Sequence, residues 1–217
     1  MKLLSVNVGQ PREVLYKGRM VATSIFKSPV SGRVMLRTLN IDGDKQADLS
    51  VHGGRYKAAY VYPHEHYAYW SRELGRDDFT FGQFGENLTI EGLTEQTVHI
   101  GDVFRIGAAI VQVTQPRVPC FKLGIRMGDA AFQKQFHNAG RTGFYVRVLD
   151  EGEIGAGDAI ERIESDPHAM SVYQIFNLLY HEPENVEDAR RALELEALAP
   201  GWRESFAERV AQADPSA

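Results

Sequence analysis

The amino-acid sequence predicts a mainly β fold followed by a small helical segment, and two observations support this. Up to about residue 165 the chain consists of short apolar runs separated by Gly, Asp and Pro, a pattern typical of a barrel or sandwich. After Asp166-Pro167, three short amphipathic segments follow. We therefore expect a β-barrel-like domain over residues 1–165 and a three-helix segment over residues 166–217.

Eight runs of apolar and β-branched residues predict the strands. Glycines separate many of these runs, as expected for turns and bulges between short strands. The predicted strands cover residues 3–9, 32–41, 57–62, 87–93, 103–107, 108–115, 143–149 and 159–164.

Local capping signals predict the helices. Pro63 can occupy the first turn of a helix through PHEHYAYWSREL, and Gly140 can close a helix through AAFQKQFHNAG. In the last part of the chain, Ser171 can cap VYQIFNLLY, Asn185 can cap VEDARRALELEAL, and Pro200 can open a final helix. The apolar stripes of these three helices must pack against something, either the rest of the chain or a second copy.

Composition restricts the classes of partner. The 217 residues carry a net charge of −5, with a pI of about 5.8. A broad basic surface for duplex nucleic acid is therefore not expected. The N-terminal residues lack the pattern of a signal peptide, and no window approaches the roughly 18 apolar residues of a membrane span. We expect a cytoplasmic protein with no membrane or nucleic-acid partner.

Cys120 is the only cysteine, which excludes an internal disulfide, a four-cysteine zinc site and a cysteine-ligated iron–sulfur cluster within the chain. Pro116 and Pro119 stiffen the backbone before it, and Arg117 and Lys122 favour a thiolate. Three interpretations stay open from these residues alone. The thiol is a small buried hydrophobe, a nucleophile activated by histidine, or a ligand for a soft metal.

Two further segments can bind polar ligands. The paired glycines of His52-Gly53-Gly54 favour an anion-binding nest of backbone N–H groups, although an ordinary turn is the simpler interpretation. In FGENLT, Asn87 can offer a donor and an acceptor to the edge of a heterocycle. Arg141, just before a predicted strand, can supply a guanidinium fork for phosphate or stay an ordinary surface residue.

Two metal-site interpretations are unfavourable. Asp42, Asp44 and Asp48 lack the turn glycine and terminal glutamate of a calcium-binding loop. His64 and His66 stand two positions apart on a predicted helix, so they do not share a face and make a poor zinc site.

Taken together and in order, six segments resemble the MOSC domain family, named after the C-terminal domain of molybdenum-cofactor sulfurases. The helical tail is similar to the extension found in the YiiM-type branch of that family, which is linked to resistance against 6-N-hydroxylaminopurine. The segments are FKSPVSG, GDKQADLSVHGGRYKAAYVYPHEHYAYW, FGENLTIEGL, GDVFRIG, QPRVPCFKL and RTGFYVRVL.

The resemblance implies a bound molybdenum cofactor, or molybdopterin. Cys120 matches the cysteine that supplies the sulfur ligand to molybdenum, and His52 is our candidate for its catalytic partner. His64 and His66 are further candidates for a proton donor. The candidate residues for binding the cofactor are Lys27, His52, Gly53, Gly54, Asn87, Arg117 and Cys120.

The resemblance also implies an activity, the reduction of N-hydroxylated compounds such as 6-N-hydroxylaminopurine to the amine. Because one cysteine cannot hold an iron–sulfur cluster, electrons are expected from a separate, flavoprotein-type reductase. The alternative is a carrier of sulfur or of the cofactor without redox turnover of its own. We also expect the helical tail to support a homodimer.

Overall fold

A computed structural model describes residues 1–47 and 53–214. The strands are β1 (Lys2–Val8), β2 (Arg12–Tyr16), β3 (Arg19–Thr23), β4 (Ser28–Pro29), β5 (Arg33–Leu36), β6 (Ala59–Pro63), β7 (Leu88–Glu91), β8 (Val103–Ile106), β9 (Ala109–Pro116), β10 (Phe144–Asp150), β11 (Gly152–Gly155) and β12 (Ile160–Glu164). The helices are α1 (Glu65–Leu74), α2 (Phe121–Met127), α3 (Phe132–Asn138), α4 (Val172–Tyr180), α5 (Val186–Leu193) and α6 (Pro200–Ala213), with a 3-10 turn at Arg55–Lys57.

Eight of these strands form one sheet in the order β12-β8-β9-β10-β6-β7-β1-β4. All of its neighbouring strands pair antiparallel except β6 and β7, which run parallel. Two small sheets, β5 with β11 and β2 with β3, complete the strand structure of the described residues. The expected mainly β fold with a helical tail is confirmed.

The sheet of this barrel-like domain does not close into a complete barrel. In the described part of the chain, the end strands β12 and β4 do not pair with each other. The sheet curls far enough for Leu3 N to donate to Asp158 O at 2.9 Å, and for Ile160 N to donate to Met1 O at 3.0 Å. This contact is a single bridge and not a ladder, because β12 itself pairs along β8.

All eight predicted strands are present, but the hairpin of β2 and β3 was missed. Its side chains are largely exposed, with Leu15 at 72% and Met20 at 58%. A strand without a buried face does not need the alternation of apolar and polar residues by which strands are recognised in a sequence. The short strands β4 and β11 were missed as well.

One predicted helix start needed correction, and one helix was missed. Pro63 is the last residue of β6, where it pairs with Ile90 of β7, and α1 begins only at Glu65. Helix α2 was not predicted, because its seven residues after Cys120 are too few to show helical periodicity. Helix α3 lies where it was predicted. Within the described ranges, no helix has both the length and the apolar composition needed to cross a membrane.

The three predicted helices of the tail are confirmed, although α5 ends at Leu193, before the end of the predicted segment. Ser171 and Gln174 form a reciprocal capping box at the start of α4. Asn185 accepts a hydrogen bond from the backbone N–H of Asp188 at the start of α5. The tail residues Ile175, Phe176, Leu178, Ala189, Trp202 and Phe206 belong to the same apolar core as the sheet.

A β-bulge near the end of β9 joins four elements. Val113 pairs with Val146 and Gln115 with Tyr145, so Thr114 is the extra residue. The Thr114 hydroxyl, which has one proton to donate, lies 2.7 Å from Tyr56 O and 3.1 Å from Tyr145 O, and the Thr114 backbone carbonyl accepts from Ala199 N at 3.2 Å. The bulge therefore connects β9 to the 3-10 turn, to β10 and to the start of α6.

We expect Thr114→Val to lower the free energy of unfolding by about 1–3 kcal/mol, because valine keeps the shape but removes the hydroxyl donor that lies beside two buried backbone carbonyls. Urea denaturation of purified protein measures the change. Thr80→Val is the matched control at an exposed position, with an expected change within about 0.5 kcal/mol. Equal stability of Thr114→Val and the wild type would contradict this role for the hydroxyl.

Candidate functional site

A cavity of about 820 Å³ lies where the end of β9, the segment 23–27, the loop 82–87, the 3-10 turn and the helical tail meet. Six of the seven residues proposed from the sequence line it together: Lys27, Gly53, Gly54, Asn87, Arg117 and Cys120. His52, the seventh, lies outside the described residues. The structure thus brings together side chains that are up to 93 positions apart in sequence.

Cys120 is the last residue of the loop 117–120 and directly precedes α2, with φ −107° and ψ 168°. Arg117 N donates to Gly143 O at 3.1 Å, and Gln133 Nε2 donates to Pro119 O at 3.0 Å. The loop is therefore fixed to β10 on one side and to α3 on the other. Because Cys120 is partly exposed and lines the cavity, its position does not fit the interpretation as a fully buried apolar thiol.

Arg117 is a buried cation with an unused hydrogen-bond donor. Its side chain is 5% exposed, and its guanidinium carbon lies 4.7 Å from the ring centre of Tyr60 and 5.3 Å from that of Phe136. Among the described residues, its Nη1 has no hydrogen-bond partner. Because Arg117 lines the cavity, its guanidinium is suited to attract an anionic or carbonyl group of a ligand there.

Lys27 is the second buried cation of the cavity, and it already has a counter-ion. Its Nζ lies 2.5 Å from Asp44 Oδ1, and both side chains are buried. Burial lowers the pKa of Lys27, and the Asp44 carboxylate opposes this shift. Sequence reasoning missed Asp44, because nothing in DGDKQAD indicates which aspartate becomes buried.

Asn87 uses its side chain within the protein. Its Nδ2 donates to Asp44 Oδ2 at 2.9 Å and to Asn7 O at 3.3 Å, and its Oδ1 accepts from Tyr60 N at 3.1 Å. Both the oxygen and the nitrogen of the amide therefore have protein partners. This geometry does not support the expectation that Asn87 hydrogen-bonds to the edge of a pterin. The geometry makes it a residue that positions Asp44, and through Asp44 the charge of Lys27.

Glu86 organises the loop 82–87 from inside. This fully buried carboxylate accepts from Gly82 N at 2.9 Å, from Phe84 N at 3.0 Å, from Thr89 Oγ1 at 2.9 Å and from the Tyr67 hydroxyl. Burial raises the pKa of Glu86, and these hydrogen bonds oppose the shift. The loop is thereby held beside Lys27 without Glu86 itself lining the cavity.

The glycine pair forms another part of the wall. Gly53 and Gly54 have φ values of 89° and 86°, which side-chain-bearing residues rarely adopt. They lead into the 3-10 turn, where Lys57 N donates to Gly54 O at 2.9 Å. Arg55 and Lys57 also line the cavity, and burial lowers the pKa of Lys57. Cations beside a glycine turn are consistent with the expected anion site.

The histidines of α1 and Arg141 lie elsewhere, since none of them lines the cavity. His66 Nδ1 lies 3.2 Å from Arg141 Nη1, and His66 Nε2 lies 2.6 Å from Glu95. Because arginine can only donate, His66 Nε2 carries the proton. Glu95 also accepts from Gly143 N at 2.6 Å. The structure therefore does not support a proton donor at His64 or His66, or phosphate binding at Arg141.

The helical tail supplies a wall of the cavity that sequence reasoning missed. No local signal could have revealed it, because tail residues more than 55 positions beyond Cys120 reach the cavity only through packing onto the sheet. These residues are Leu179, Tyr180, Ala199, Pro200, Gly201, Trp202 and Ser205.

The donor set fits a cofactor that brings most of its own metal ligands. Within the part of the chain that the structure describes, no group of three or more His, Cys, Asp or Glu side chains could hold a metal ion. Cys120 offers one soft sulfur ligand, and Arg117 offers a buried donor for an anionic group. These residues therefore fit a metal–pterin cofactor that uses a single protein thiolate.

Fold and cavity together define a MOSC domain with a helical extension, and comparison with protein families agrees. The MOSC domain model matches residues 48–161, and the model described as a YiiM-like, 3-alpha helix domain matches residues 170–213. The chain belongs to the MOSC family, in its YiiM-like branch. MOSC domains are associated with binding of the molybdenum cofactor.

Individual relatives agree with this assignment. The Bacillus subtilis protein YflK is 44% identical over 94% of this chain and 92% of its own length. The crystal structure of YiiM from Geobacillus stearothermophilus has a TM-score of 0.82 at 37% identity, covering 96% of this chain and 98% of that one. A Gibberella moniliformis protein named Reductase is 32% identical over 80% of this chain, which spans only 31% of that protein.

Replacing Glu86 tests the loop that positions Asn87. We expect Glu86→Gln to lower the free energy of unfolding by about 1–3 kcal/mol, because the amide can no longer accept at both ends while its donors stay buried. Guanidinium denaturation measures the change, with Glu91→Gln at an exposed position of β7 as control. An unchanged midpoint for Glu86→Gln would show that the loop does not depend on this carboxylate.

Proposed function

We propose that this protein is a molybdenum-cofactor-dependent reductase of N-hydroxylated compounds such as 6-N-hydroxylaminopurine. One observation carries the proposal: Cys120 and the buried cation Arg117 line one cavity beside the Gly53-Gly54 turn. A soft thiolate ligand, a buried cation and a glycine turn are the groups that a metal–pterin phosphate needs. The reductase-named relative supports the reaction class.

The residues of the chain have separate roles in binding. Cys120 would provide the sulfur ligand, Arg117 would donate to an anionic group of the cofactor, and the Gly53-Gly54 turn with Arg55 would face its phosphate. When bound, the cofactor supplies a metal that accepts an oxygen atom and exchanges two electrons. Lys27 is paired with Asp44, so Arg117 is the buried cation that we assign to an anionic group of the cofactor.

The overall reaction takes up two electrons and two protons: R–NHOH + 2e⁻ + 2H⁺ → R–NH₂ + H₂O. The N–O bond breaks, the nitrogen is reduced, and the oxygen leaves as water. His52 stays our candidate for a proton donor, and Lys27 is a buried acid of the cavity wall that can also hold a proton. Both side chains orient or protonate the substrate and do not carry electrons.

The two electrons need a second protein. With one cysteine in 217 residues, the chain has no set of thiolates for an iron–sulfur cluster. We therefore propose a separate flavoprotein-type reductase as the electron donor, and a cytoplasmic reaction on a small N-hydroxylated molecule. The homodimer expected from the helical tail stays a prediction.

We expect Cys120→Ser to lose molybdenum and to reduce 6-N-hydroxylaminopurine at least about 100-fold more slowly, because a hydroxyl is a poor soft-metal ligand. Protein from a cofactor-competent host is assayed for molybdenum, for pterin fluorescence and for turnover with a flavoprotein reductase. Lys134→Ala on the exposed face of α3 is the control and should match the wild type.

The same assays separate the reductase from the alternative carrier. Wild-type protein that holds molybdenum but converts no N-hydroxylated compound would favour the carrier, as would cyanide-labile sulfur on Cys120. Full turnover by Cys120→Ser would contradict both the ligand role and the proposed function.

Arg117→Met should have opposite effects on stability and on cofactor binding. Methionine removes a buried charge whose Nη1 has no partner within the described ranges, so the cofactor-free protein should be as stable as the wild type or more stable. Loss of a hydrogen bond from a charged group, about 1.5–3 kcal/mol, should weaken cofactor binding roughly 10- to 100-fold. Thermal unfolding of cofactor-free protein and molybdenum content after dialysis measure the two effects. Unchanged molybdenum retention would contradict the role of Arg117.

A further inference from the structure

The cavity has two parts of different chemistry. One part carries the charged residues, including Lys27, Asp44, Arg55 and Arg117. The other part is formed by the helical tail and carries no charged side chain among its lining residues: Leu179, Tyr180, Ala199, Pro200, Gly201, Trp202 and Ser205. The whole cavity, at about 820 Å³, is near the upper end of the roughly 300–1,000 Å³ typical of ligand sites. It therefore has room for a second small molecule.

Tyr180 contributes an exposed aromatic ring to this uncharged part. It is the last residue of α4, and 38% of its surface is open. Three rings hold it from the protein side: Phe176 at 5.0 Å, His137 at 4.7 Å and Trp202 at 6.2 Å between ring centres. The ring is thus fixed in position while part of it stays available to a ligand.

The position of the uncharged part relative to Cys120 is also fixed. Ala199, at the start of α6, donates through its backbone N–H to Thr114 O, six residues before the cysteine. At the end of α4, Arg209 Nη1 donates to Leu178 O at 2.7 Å and so ties α6 to the helix that carries Tyr180. The tail is therefore joined to the strand that leads into the cysteine loop.

We propose that the uncharged part is the substrate subsite, and that Tyr180 binds the flat heteroaromatic ring of the N-hydroxylated substrate by stacking. This inference rests on the proposed function and adds the specificity-determining residue. A pterin phosphate requires the cations of the other part, whereas a neutral heteroaromatic ring is suited to aromatic and aliphatic side chains. The helical tail then selects ring-containing substrates, and the MOSC residues bind the cofactor.

The test compares two substrates that share the N–OH group but not the ring. For Tyr180→Ala and Tyr180→Leu holoenzymes, KM for 6-N-hydroxylaminopurine should rise about tenfold, because stacking on the ring is lost. Steady-state turnover of hydroxylamine, which has no ring, should stay unchanged. Tyr180→Phe keeps the ring and should restore the wild-type KM.

Tyr173→Ala is the matched control, since Tyr173 lies on the same helix with 36% exposure but does not line the cavity. It should leave both substrates unaffected. An unchanged KM for the purine in Tyr180→Ala and Tyr180→Leu would overturn the subsite. Equal losses on the purine and on hydroxylamine would also overturn it, because they would indicate a structural role.

Calorimetric titration with adenine separates this proposal from the proposed function, because adenine has the ring but no N–OH group to reduce. The wild-type and Tyr180→Phe holoproteins should bind adenine about tenfold more tightly than Tyr180→Ala. If no N-hydroxylated compound is reduced but this difference is found, the reductase proposal fails and the subsite stands. If 6-N-hydroxylaminopurine is reduced and adenine binds all variants equally, the subsite fails and the reductase proposal stands.

Discussion

The geometry of the cavity depends on the hydrogen bonds of the Thr114 hydroxyl and backbone carbonyl. As the extra residue of a bulge, Thr114 departs from the regular ladder between β9 and β10, and its polar groups bind the 3-10 turn, β10 and the start of α6. The stiff loop with Arg117 and Cys120 follows directly. Contacts of Thr114 therefore fix the position of the uncharged part of the cavity relative to the part that carries the charged residues. Thr114 is buried, so water cannot replace these hydrogen bonds.

The two buried cations of the cavity are balanced in different ways. Lys27 has a full counter-ion in Asp44, which is itself held by Gly9 N and by Asn87. Arg117 lies against the faces of Tyr60 and Phe136, and its Nη1 has no hydrogen-bond partner among the residues that the structure describes. Aromatic faces attract a guanidinium but do not neutralise it. The charge of Arg117 lies three residues before Cys120, in a cavity that Arg55, Lys57 and Lys122 also line, and this favours an anionic ligand.

Much of the fold could be predicted from local patterns. Seven of the eight predicted strands have a more buried face, which gives them alternating or continuous apolar residues; β12, with only Ile160 buried, is the exception. Ser171, Asn185 and Pro200 mark helix starts by their own chemistry. The exposed β2–β3 hairpin and the seven-residue α2 lack such patterns, so they were missed. Whether the barrel-like sheet closes could not be predicted, because closure depends on whether β12 pairs with β1 or only with β8, and local sequence contains no information about that pairing.

The sequence by itself determined that one thiol is available, that it lies in a stiff and basic loop, and that the ordered motifs are those of a MOSC domain with a three-helix tail. Only the tertiary structure decided which of these groups are occupied by protein partners. Asp44 neutralises Lys27, and Asn87 donates a hydrogen bond to Asp44. His66 pairs with Glu95 away from the cavity. The physical reason is that these contacts join residues 17 to 43 positions apart. Burial and charge pairing at such separations arise from packing and leave no local mark in the sequence.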